Sequence, residues 1–402
     1  MVKITEIKTF LTRPFNNNLV VVKIETNQPG LNGLGCATFT QRCKAVVTII
    51  EEYLRPLLVG REVDDIQDLW TLMYQNAYWR NGPLLNTAIG GIDLALWDIK
   101  GKMAGMPVYQ LLGGKCREAV AVYMYANGTS LQDVIEKAQA HWENGFNYIR
   151  LQYDPLKSFS MDWLTSNRKS EGTKSGNYLD SRKYAKETVR LFEEARKAMG
   201  SEPYFVHDVH ERILPTDALY LAKALEDLEP FFIEDLFSPE NRDYYRQVKN
   251  TCRTPIAMGE LFTNQLEWIP LVTERLIDYI RIHITMIGGL TPALRCAHMC
   301  ELHGVRLAWH APYDLNPVGH AAQMHLDLIS PNFGVQEWSG MNDIETAMFP
   351  GCPVISKGYA YVNDKPGFGI EFDERLAKKY PATDEVTLWT EYRHTDGSLY
   401  TP

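Results

Sequence analysis

The runs YFVHD (204–208), FFIED (231–235) and PIAMGE (255–260) decide the fold of this chain. Each run carries an acidic residue at or beside its end, and these follow one another at intervals of 26 residues: Asp208, Glu234 and Glu260. A strand, a turn, a helix and a return loop need about that length. The spacing therefore predicts three successive β/α units, each with a carboxylate at the end of its strand.

These three carboxylates predict a metal site. In a β/α barrel the carboxyl ends of the strands form the active-site face. Carboxylates that converge there repel one another unless a cation neutralises them, and all-oxygen ligands suit Mg²⁺ better than zinc. The alternative is that the acids are helix caps or solvated loop residues, which fits any one of them better than all three at matching places.

The rest of the chain is organised around these units. Residues 3–25 hold β-rich segments that predict an antiparallel start, and residues 43–113 show the apolar spacing of packed helices. Strand and helix alternation then predicts a barrel over about 120–340. Residues 157–183 interrupt this alternation with a polar insertion, for which we expect a lid over the active-site face or, alternatively, a surface excursion without function.

Composition excludes several classes of function. A net charge of −9 without a basic block argues against a nucleic-acid partner. The sequence contains no uninterrupted run of about 18 apolar residues, so we expect no membrane span. The N-terminus lacks the apolar core of a signal peptide. We therefore expect a cytoplasmic protein, in which the seven scattered cysteines stay reduced.

Further polar residues lie at the ends of predicted strands, and Arg281 begins the predicted strand RIHITM (281–286). These residues are Arg150, His210, Arg281, His310, Asp314 and Glu337. Each histidine taken singly is more often structural than catalytic. Together with a divalent cation, however, these groups suit the binding of an anionic substrate and the removal of a proton beside a carboxylate.

At this point the sequence resembles a known family. The chain resembles the mannonate dehydratase subgroup of the enolase superfamily over essentially its whole length. The resemblance lies in the spaced acids and in the motifs IDLALWDIKGK (92–102), PVYQLLGG (107–114), WHAPYDLNPV (309–318) and PNFGVQEW (331–338). The resemblance implies an α/β protein with a modified (β/α)8 barrel of TIM type. It also implies Mg²⁺-dependent dehydration of a sugar acid to a 2-keto-3-deoxy acid, in a homo-oligomer.

The implied domains are an N-terminal α+β capping domain over 1–118, the catalytic barrel over 119–340, and a C-terminal segment over 341–402 that completes the capping domain. The implied metal ligands are Asp208, Glu234 and Glu260, and His210 matches the acid that protonates the departing hydroxyl. The implied substrate contacts are Arg281, His310, Asp314 and Glu337.

Several positions depart from the family pattern. Arg150 matches an arginine that, in the family, partners a loop tyrosine that acts as the base. The place of that tyrosine falls near Asp162 in this chain, which leaves Tyr178 as the candidate base. Other substrate-contacting positions carry unusual residues: Thr40, Gln41, Tyr125 and Tyr400. Because a site that hydrogen-bonds particular hydroxyls discriminates sharply, these changes predict altered specificity.

We therefore expect a dehydratase of D-mannonate-like or D-gluconate-like acids with weak or altered activity. A catalytically silent sugar-acid binder is the alternative. A racemase or cycloisomerase of the superfamily fits less well, since lysines would be expected where the chain has Arg150 and Gln152. The HDVH sequence at 207–210 has the wrong spacing for a metallohydrolase.

Overall fold

The computed structural model of the protein describes residues 1–153, 177–385 and 392–399. Contacts between residues divide the chain into two units. The described part of the first unit comprises residues 1–121, 260–269 and 281–385, and that of the second comprises 122–153, 177–259, 270–280 and 392–399.

The strands are, in chain order, β1 Ile4–Thr12, β2 Leu19–Thr26, β3 Asn32–Cys36, β4 Val120–Gly128, β5 Tyr148–Tyr153, β6 Asn177–Tyr178, β7 Tyr204–Asp208, β8 Phe232–Glu234, β9 Ile256–Met258, β10 Tyr279–Ile280, β11 Arg306–Leu307, β12 Gln336–Glu337, β13 Val354–Ser356, β14 Tyr359–Tyr361 and β15 Tyr392–Arg393.

The α-helices are Cys43–Thr48, Arg55–Leu58, Ile66–Asn76, Pro83–Ala104, Val108–Leu111, Leu131–Glu143, Ser181–Met199, Pro215–Ala224, Tyr244–Thr251, Gln265–Thr273, Leu290–His303, Pro317–Ile329, Asp343–Met348 and Glu374–Ala377. Shorter helical turns are Thr40–Arg42, Glu226–Leu228 and Pro239–Asn241, and Ile49–Leu54 is a π-helix. Within the described ranges, no helix combines the length and the apolar character that crossing a bilayer requires.

The first unit begins with an antiparallel sheet in the order β1–β2–β3, which confirms the predicted antiparallel start. The sheet packs on the helix Pro83–Ala104 along an apolar core. Contact is closest at Gly33 and Gly35 of β3, where a Cβ atom would overlap the carbonyl oxygens of Ala95 and Gly91. Only glycine therefore permits this approach of strand and helix.

Asp98 of the same helix ties three segments of the first unit together. Its carboxylate accepts hydrogen bonds from the backbone N–H of Leu34 at 3.0 Å and of Phe368 at 2.8 Å, and from Lys102 Nζ at 2.7 Å. The side chain is buried, with 1% exposure. The C-terminal part of the unit also contacts the first strand, since Thr12 Oγ1 donates to the carbonyl of Tyr380 at 2.7 Å.

The second unit is built around six parallel strands in the order β4–β5–β7–β8–β9–β10. The helix Pro215–Ala224 connects β7 to β8 and the helix Tyr244–Thr251 connects β8 to β9, which confirms the predicted β/α units. β7 ends at Asp208 and β8 ends at Glu234, while Glu260 lies two residues beyond the end of β9.

The prediction that Arg281 begins a strand over 281–286 is wrong, because β10 ends at Ile280. Beyond it only an isolated parallel bridge joins His283 to His310. The predicted lid lies largely outside the described residues, and at its end the helix Ser181–Met199 has already begun. The two units do not follow the boundaries at 118 and 340, and the three-part domain division stays a prediction.

We predict that Asp98→Ala lowers the free energy of unfolding by about 3 kcal/mol, because two buried backbone N–H groups lose their acceptor. Urea denaturation followed by circular dichroism measures the change. The control is Asp64→Ala, which removes an exposed partner of Lys100 and is expected to change stability by less than about 0.5 kcal/mol. Equal denaturation midpoints for the two variants would contradict the role given to Asp98.

Candidate active site

Asp208 and Glu234 are held side by side in the second unit. β7 and β8 pair in parallel with Asp208 opposite Glu234. Residues at the same level of neighbouring strands point to the same face of the sheet. Both side chains are buried, with exposures of 3% and 0%. Two carboxylates so close together away from water require a positive charge beside them.

Arg150 of β5 supplies that charge. Its Nη1 atom lies 3.2 Å from Oδ2 of Asp208 and 3.1 Å from Oε1 of Glu234. The guanidinium carbon is 3.9 Å from the ring centroid of Tyr125. Burial lowers the pKa of Arg150, but Tyr125, Asp208 and Glu234 outweigh it and hold this pKa well above the ordinary value. Arg150 is therefore a permanent cation.

Tyr123 of β4 also contacts Glu234. Its hydroxyl donates to Oε2 of Glu234 at 3.2 Å. The Glu234 carboxylate thus has a charged donor on one oxygen and a neutral donor on the other. Sequence analysis overlooked Tyr123, although its alternation with Tyr125 along β4 places both side chains on one face of the strand.

The predicted acid and base of the second unit occupy different surroundings. His210 is half-buried in the turn after β7, and its backbone is left-handed with φ of +52°. Tyr178 lies in β6, which pairs in parallel with β15, and is buried with 1% exposure. The role of Tyr178 as base stays a prediction.

In the first unit, Glu260 lies against His310. The imidazole Nε2 is 3.3 Å from Oε2 of Glu260. Burial lowers the pKa of His310 and Glu337 raises it, but burial has the larger effect and the pKa falls to about 3. The ring is therefore neutral near pH 7. The backbone of His310 is fixed by Gln323, whose amide donates to the His310 carbonyl at 2.8 Å.

Arg281 and Glu337 form a buried ion pair in the same unit. Arg281 Nη2 lies 3.0 Å from Oε2 of Glu337, and the exposures of the two residues are 0% and 1%. The same Glu337 oxygen accepts a hydrogen bond from the backbone N–H of Ala311 at 2.8 Å. The pair therefore fixes the chain next to His310.

Asp314 is held from two sides. Thr40 Oγ1 donates to Oδ2 of Asp314 at 3.1 Å, and His283 Nε2 lies 3.6 Å from Oδ1. Burial raises the pKa of Asp314, but His283 and Thr40 lower it, and the balance lies below the ordinary value. Both contacts join segments that the sequence separates widely.

His283 and Thr285 are residues that sequence analysis overlooked. The backbone N–H of Thr285 lies 3.2 Å from His283 Nδ1 and its hydroxyl lies 2.9 Å away. Because a backbone N–H only donates, Nδ1 is the acceptor, and a neutral ring carries its proton on Nε2, toward Asp314. Spacing by two residues from Arg281 was a signal for His283, although this segment is not a strand.

The motif containing Asp314 also starts a helix. The Asn316 side chain accepts hydrogen bonds from the backbone N–H groups of Val318 and Gly319 at 3.0 and 3.1 Å, and Pro317 occupies the first helical turn of Pro317–Ile329. Gln41 is half-buried in the turn Thr40–Arg42. Tyr400 lies outside the described residues.

The metal site stays a prediction. Among residues 1–153, 177–385 and 392–399, no group of three or more His, Cys, Asp or Glu side chains is assembled closely enough to hold a metal ion. The donor chemistry nevertheless suits Mg²⁺, since Asp208 and Glu234 present carboxylate oxygens from adjacent strand ends. Their surroundings already accommodate positive charge, in the form of Arg150.

Comparisons with known proteins cover nearly the whole chain. Residues 3–113 match the family model of the mandelate racemase / muconate lactonizing enzyme N-terminal domain, and residues 133–376 match the enolase C-terminal domain-like model. A D-galactonate dehydratase family member of Pantoea ananatis is 50% identical, over 99% of both chains. Another, from Enterocloster bolteae, is 50% identical over 100% of this chain and 99% of its own.

A crystal structure of an enolase from Pantoea ananatis with bound D-gluconate and Mg superposes with a TM-score of 0.97, at 49% identity and over 100% of both chains. A putative dehydratase from Salmonella Typhimurium gives a TM-score of 0.83 at 26% identity, over 95% of this chain and 99% of its own. These matches confirm the predicted capping domain and (β/α)8 barrel. The mannonate subgroup stays a prediction, because the relatives carry the D-galactonate name.

We predict that Glu337→Gln lowers the free energy of unfolding by about 3 kcal/mol, because it leaves the charge of Arg281 buried without its carboxylate. The matched control is Glu274→Gln, which changes an exposed partner of Arg246 and is expected to cost less than about 1 kcal/mol. Chemical denaturation of both variants measures the difference. Similar losses in the two variants would show that the buried pair is not a structural element.

Proposed function

Since this chain belongs to the D-galactonate dehydratase family of the enolase superfamily, we propose that it is a Mg²⁺-dependent dehydratase of acid sugars. The reaction converts an aldonate into a 2-keto-3-deoxy acid and water. The observation that carries the proposal is the likeness, over the full chain, to an enolase crystallised with D-gluconate and Mg.

We propose a six-carbon aldonate as the substrate class. D-gluconate is the acid bound to the similar enolase, and D-galactonate gives the relatives their family name. D-mannonate is the acid expected from the sequence motifs. The departures at Thr40, Gln41 and Tyr125 support a specificity that differs among these three acids.

Asp208, Glu234 and Glu260 are the proposed ligands of Mg²⁺. The first two present carboxylates from paired strand ends, and Glu260 follows the next strand of the same series. When bound, Mg²⁺ supplies positive charge that stabilises negative charge developing beside the substrate carboxylate. Arg150 donates hydrogen bonds to the carboxylates of both Asp208 and Glu234. We expect it to lose at least one of these contacts in the metal-bound protein.

The proposed reaction moves one proton from the substrate and delivers one to it. A base removes the C2 proton, and the electron pair of that C–H bond forms a C2–C3 double bond as the C3–O bond breaks. His210 gives its proton to the departing 3-hydroxyl, which leaves as water. The enol then becomes the 2-keto-3-deoxy acid. Arg150 is itself a cation, so Tyr178 is the proposed base with Arg150 as its partner.

The remaining groups are proposed to bind and orient the acid. His310 is a neutral donor fixed by the Arg281–Glu337 pair, and Asp314 is a carboxylate fixed by Thr40 and His283. The proposed substrate contacts are Thr40, Gln41, Tyr125, Arg281, His310, Asp314, Glu337 and Tyr400. Polar groups already held in place lose less freedom when substrate binds.

A second candidate is a sugar-acid binder without turnover. The observation that favours it is the absence of a tyrosine at the position near Asp162 that matches the family base. Such a protein keeps metal and aldonate binding but lacks an effective base.

We predict that the protein converts at least one six-carbon aldonate to its 2-keto-3-deoxy acid with Mg²⁺ and that Glu234→Gln lowers this rate by about 10³-fold or more. A screen of D-gluconate, D-mannonate and D-galactonate, with product detected by its keto group, measures it. The control Glu226→Gln changes a half-buried acid paired with Lys223 and Arg253. An unchanged rate in Glu234→Gln would contradict the assignment of Glu234 as a metal ligand. Aldonate binding detected by calorimetry without product formation would favour the sugar-acid binder without turnover.

We predict that His210→Asn lowers kcat on the same acid by about 10²- to 10⁴-fold, because the leaving hydroxyl loses its proton donor. Aldonate affinity, measured by calorimetry, is expected to change much less. The exposed His298 of the helix Leu290–His303 supplies the control His298→Asn. A parallel loss of affinity and of kcat would instead assign His210 to substrate binding.

A further inference from the structure

The peptide group between His310 and Ala311, in the first unit, is held at both of its polar ends. Its carbonyl, which belongs to His310, accepts a hydrogen bond from Gln323 Nε2 at 2.8 Å. Its N–H, which belongs to Ala311, donates to Oε2 of Glu337 at 2.8 Å. Because a peptide group is planar and moves as one body, it cannot turn without breaking at least one of these bonds.

The amide of Gln323 has a fixed orientation. The residue lies in the helix Pro317–Ile329 and has 0% exposure. Its Oε1 atom accepts a hydrogen bond from Nε2 of Gln336, in β12, at 3.0 Å. A backbone carbonyl only accepts, so the NH2 group of Gln323 must face His310 and its oxygen must face Gln336.

Gln336 is oriented in the same manner. It also has 0% exposure, and its Nε2 atom faces the backbone carbonyls of Glu337 at 3.0 Å and Trp309 at 3.4 Å. Turning this amide over would place its oxygen against those carbonyl oxygens. The two glutamines therefore form a directed chain of hydrogen bonds that runs from β12 through Gln323 to the His310 carbonyl.

The imidazole of His310 is accessible, although the groups behind its backbone are not. Its side chain is 18% exposed, and its Nε2 atom lies 3.3 Å from Oε2 of Glu260. The ring is joined to the backbone only through the χ1 and χ2 torsions, so a shift of the 310–311 peptide moves the ring relative to Glu260. Gln323 and Gln336 have no exposed surface and can act on a ligand only through the groups that they hold.

We propose that Gln323, oriented by Gln336, is a positioning residue that sets where the His310 imidazole meets the sugar acid. This inference rests on the proposed function, in which His310 contacts the substrate. A contact that is held in place in advance loses less freedom on binding, so release of the His310 carbonyl is expected to weaken aldonate binding.

The first test is calorimetric titration of the full chain with D-gluconate, D-mannonate and D-galactonate, each with Mg²⁺. We expect Gln323→Met, which keeps the length of the side chain but removes its amide, to weaken aldonate binding at least about fivefold. In His310→Asn the same change is expected to alter the affinity less than about twofold, because Gln323 acts through the ring. An equal loss in both backgrounds would overturn the proposal.

The matched control is Gln132→Met, which removes an exposed amide that donates to Glu136 at 2.9 Å. This variant is expected to bind the aldonate as the wild type does.

A second test, amide hydrogen exchange resolved to single residues, needs no ligand. We expect the N–H of Ala311 to exchange at least about tenfold faster in Gln323→Met, because its peptide group loses one of two hydrogen bonds. The N–H of Leu34, which Asp98 holds elsewhere in the unit, is expected to keep its rate. Equal acceleration at both sites would show a loss of overall stability, and an unchanged rate at Ala311 would show no hold on the peptide; either result would overturn the proposal.

Gln323→Asn serves if Gln323→Met does not fold. It shortens the side chain by a methylene group, keeps an amide in the core and withdraws it from the His310 carbonyl, so the same effects on binding and exchange are expected. Failure of the wild type to bind any of the three acids would overturn the proposed function and leave Ala311 exchange to decide whether Gln323 holds the peptide. Aldonate affinity that is equal in wild type and variant would overturn the positioning role alone.

Discussion

The arrangement of the second unit depends on the repulsion between two buried carboxylates. Parallel pairing of β7 and β8 forces Asp208 and Glu234 to the same level and the same face. Neither can be ionised there without a positive charge nearby, and Arg150 from the preceding strand in the sheet provides it. The Tyr125 ring lies against this guanidinium, and the Tyr123 hydroxyl donates to Glu234. Strand order, rather than any single loop, sets the chemistry of this face.

The first unit meets the same demand with different partners. Glu337 is matched by Arg281, and Asp314 by His283 and Thr40, so both of these buried acids have a partner from a distant part of the chain. These pairs fix backbone as well as charge, because Glu337 also binds the N–H of Ala311. A charged residue that looks like a ligand-binding group in the sequence can thus be, at the same time, part of the support for its neighbours.

The sequence predicted what depends on local periodicity. The ends of β7 and β8 at Asp208 and Glu234, and the antiparallel start, follow from apolar patterning and spacing. The strand predicted to begin at Arg281 was wrong, because β10 has only two residues and so short a strand shows no periodicity in the sequence. His283 was overlooked because only the tertiary fold brings it to its partner Asp314. The left-handed backbone at His210 and Glu211 is set by the chain around it, since neither residue type requires it.

The close contact of β3 with the helix Pro83–Ala104 determines where the loop after β3 begins, but not which side chains that loop carries. Gly33 and Gly35 let the strand lie directly on the carbonyl groups of the helix, which sets where the chain emerges toward Thr40 and Gln41. The position of that loop is therefore set by the contact between strand and helix. Its half-buried side chains at Thr40 and Gln41 can therefore be substituted without moving the strand and helix behind them.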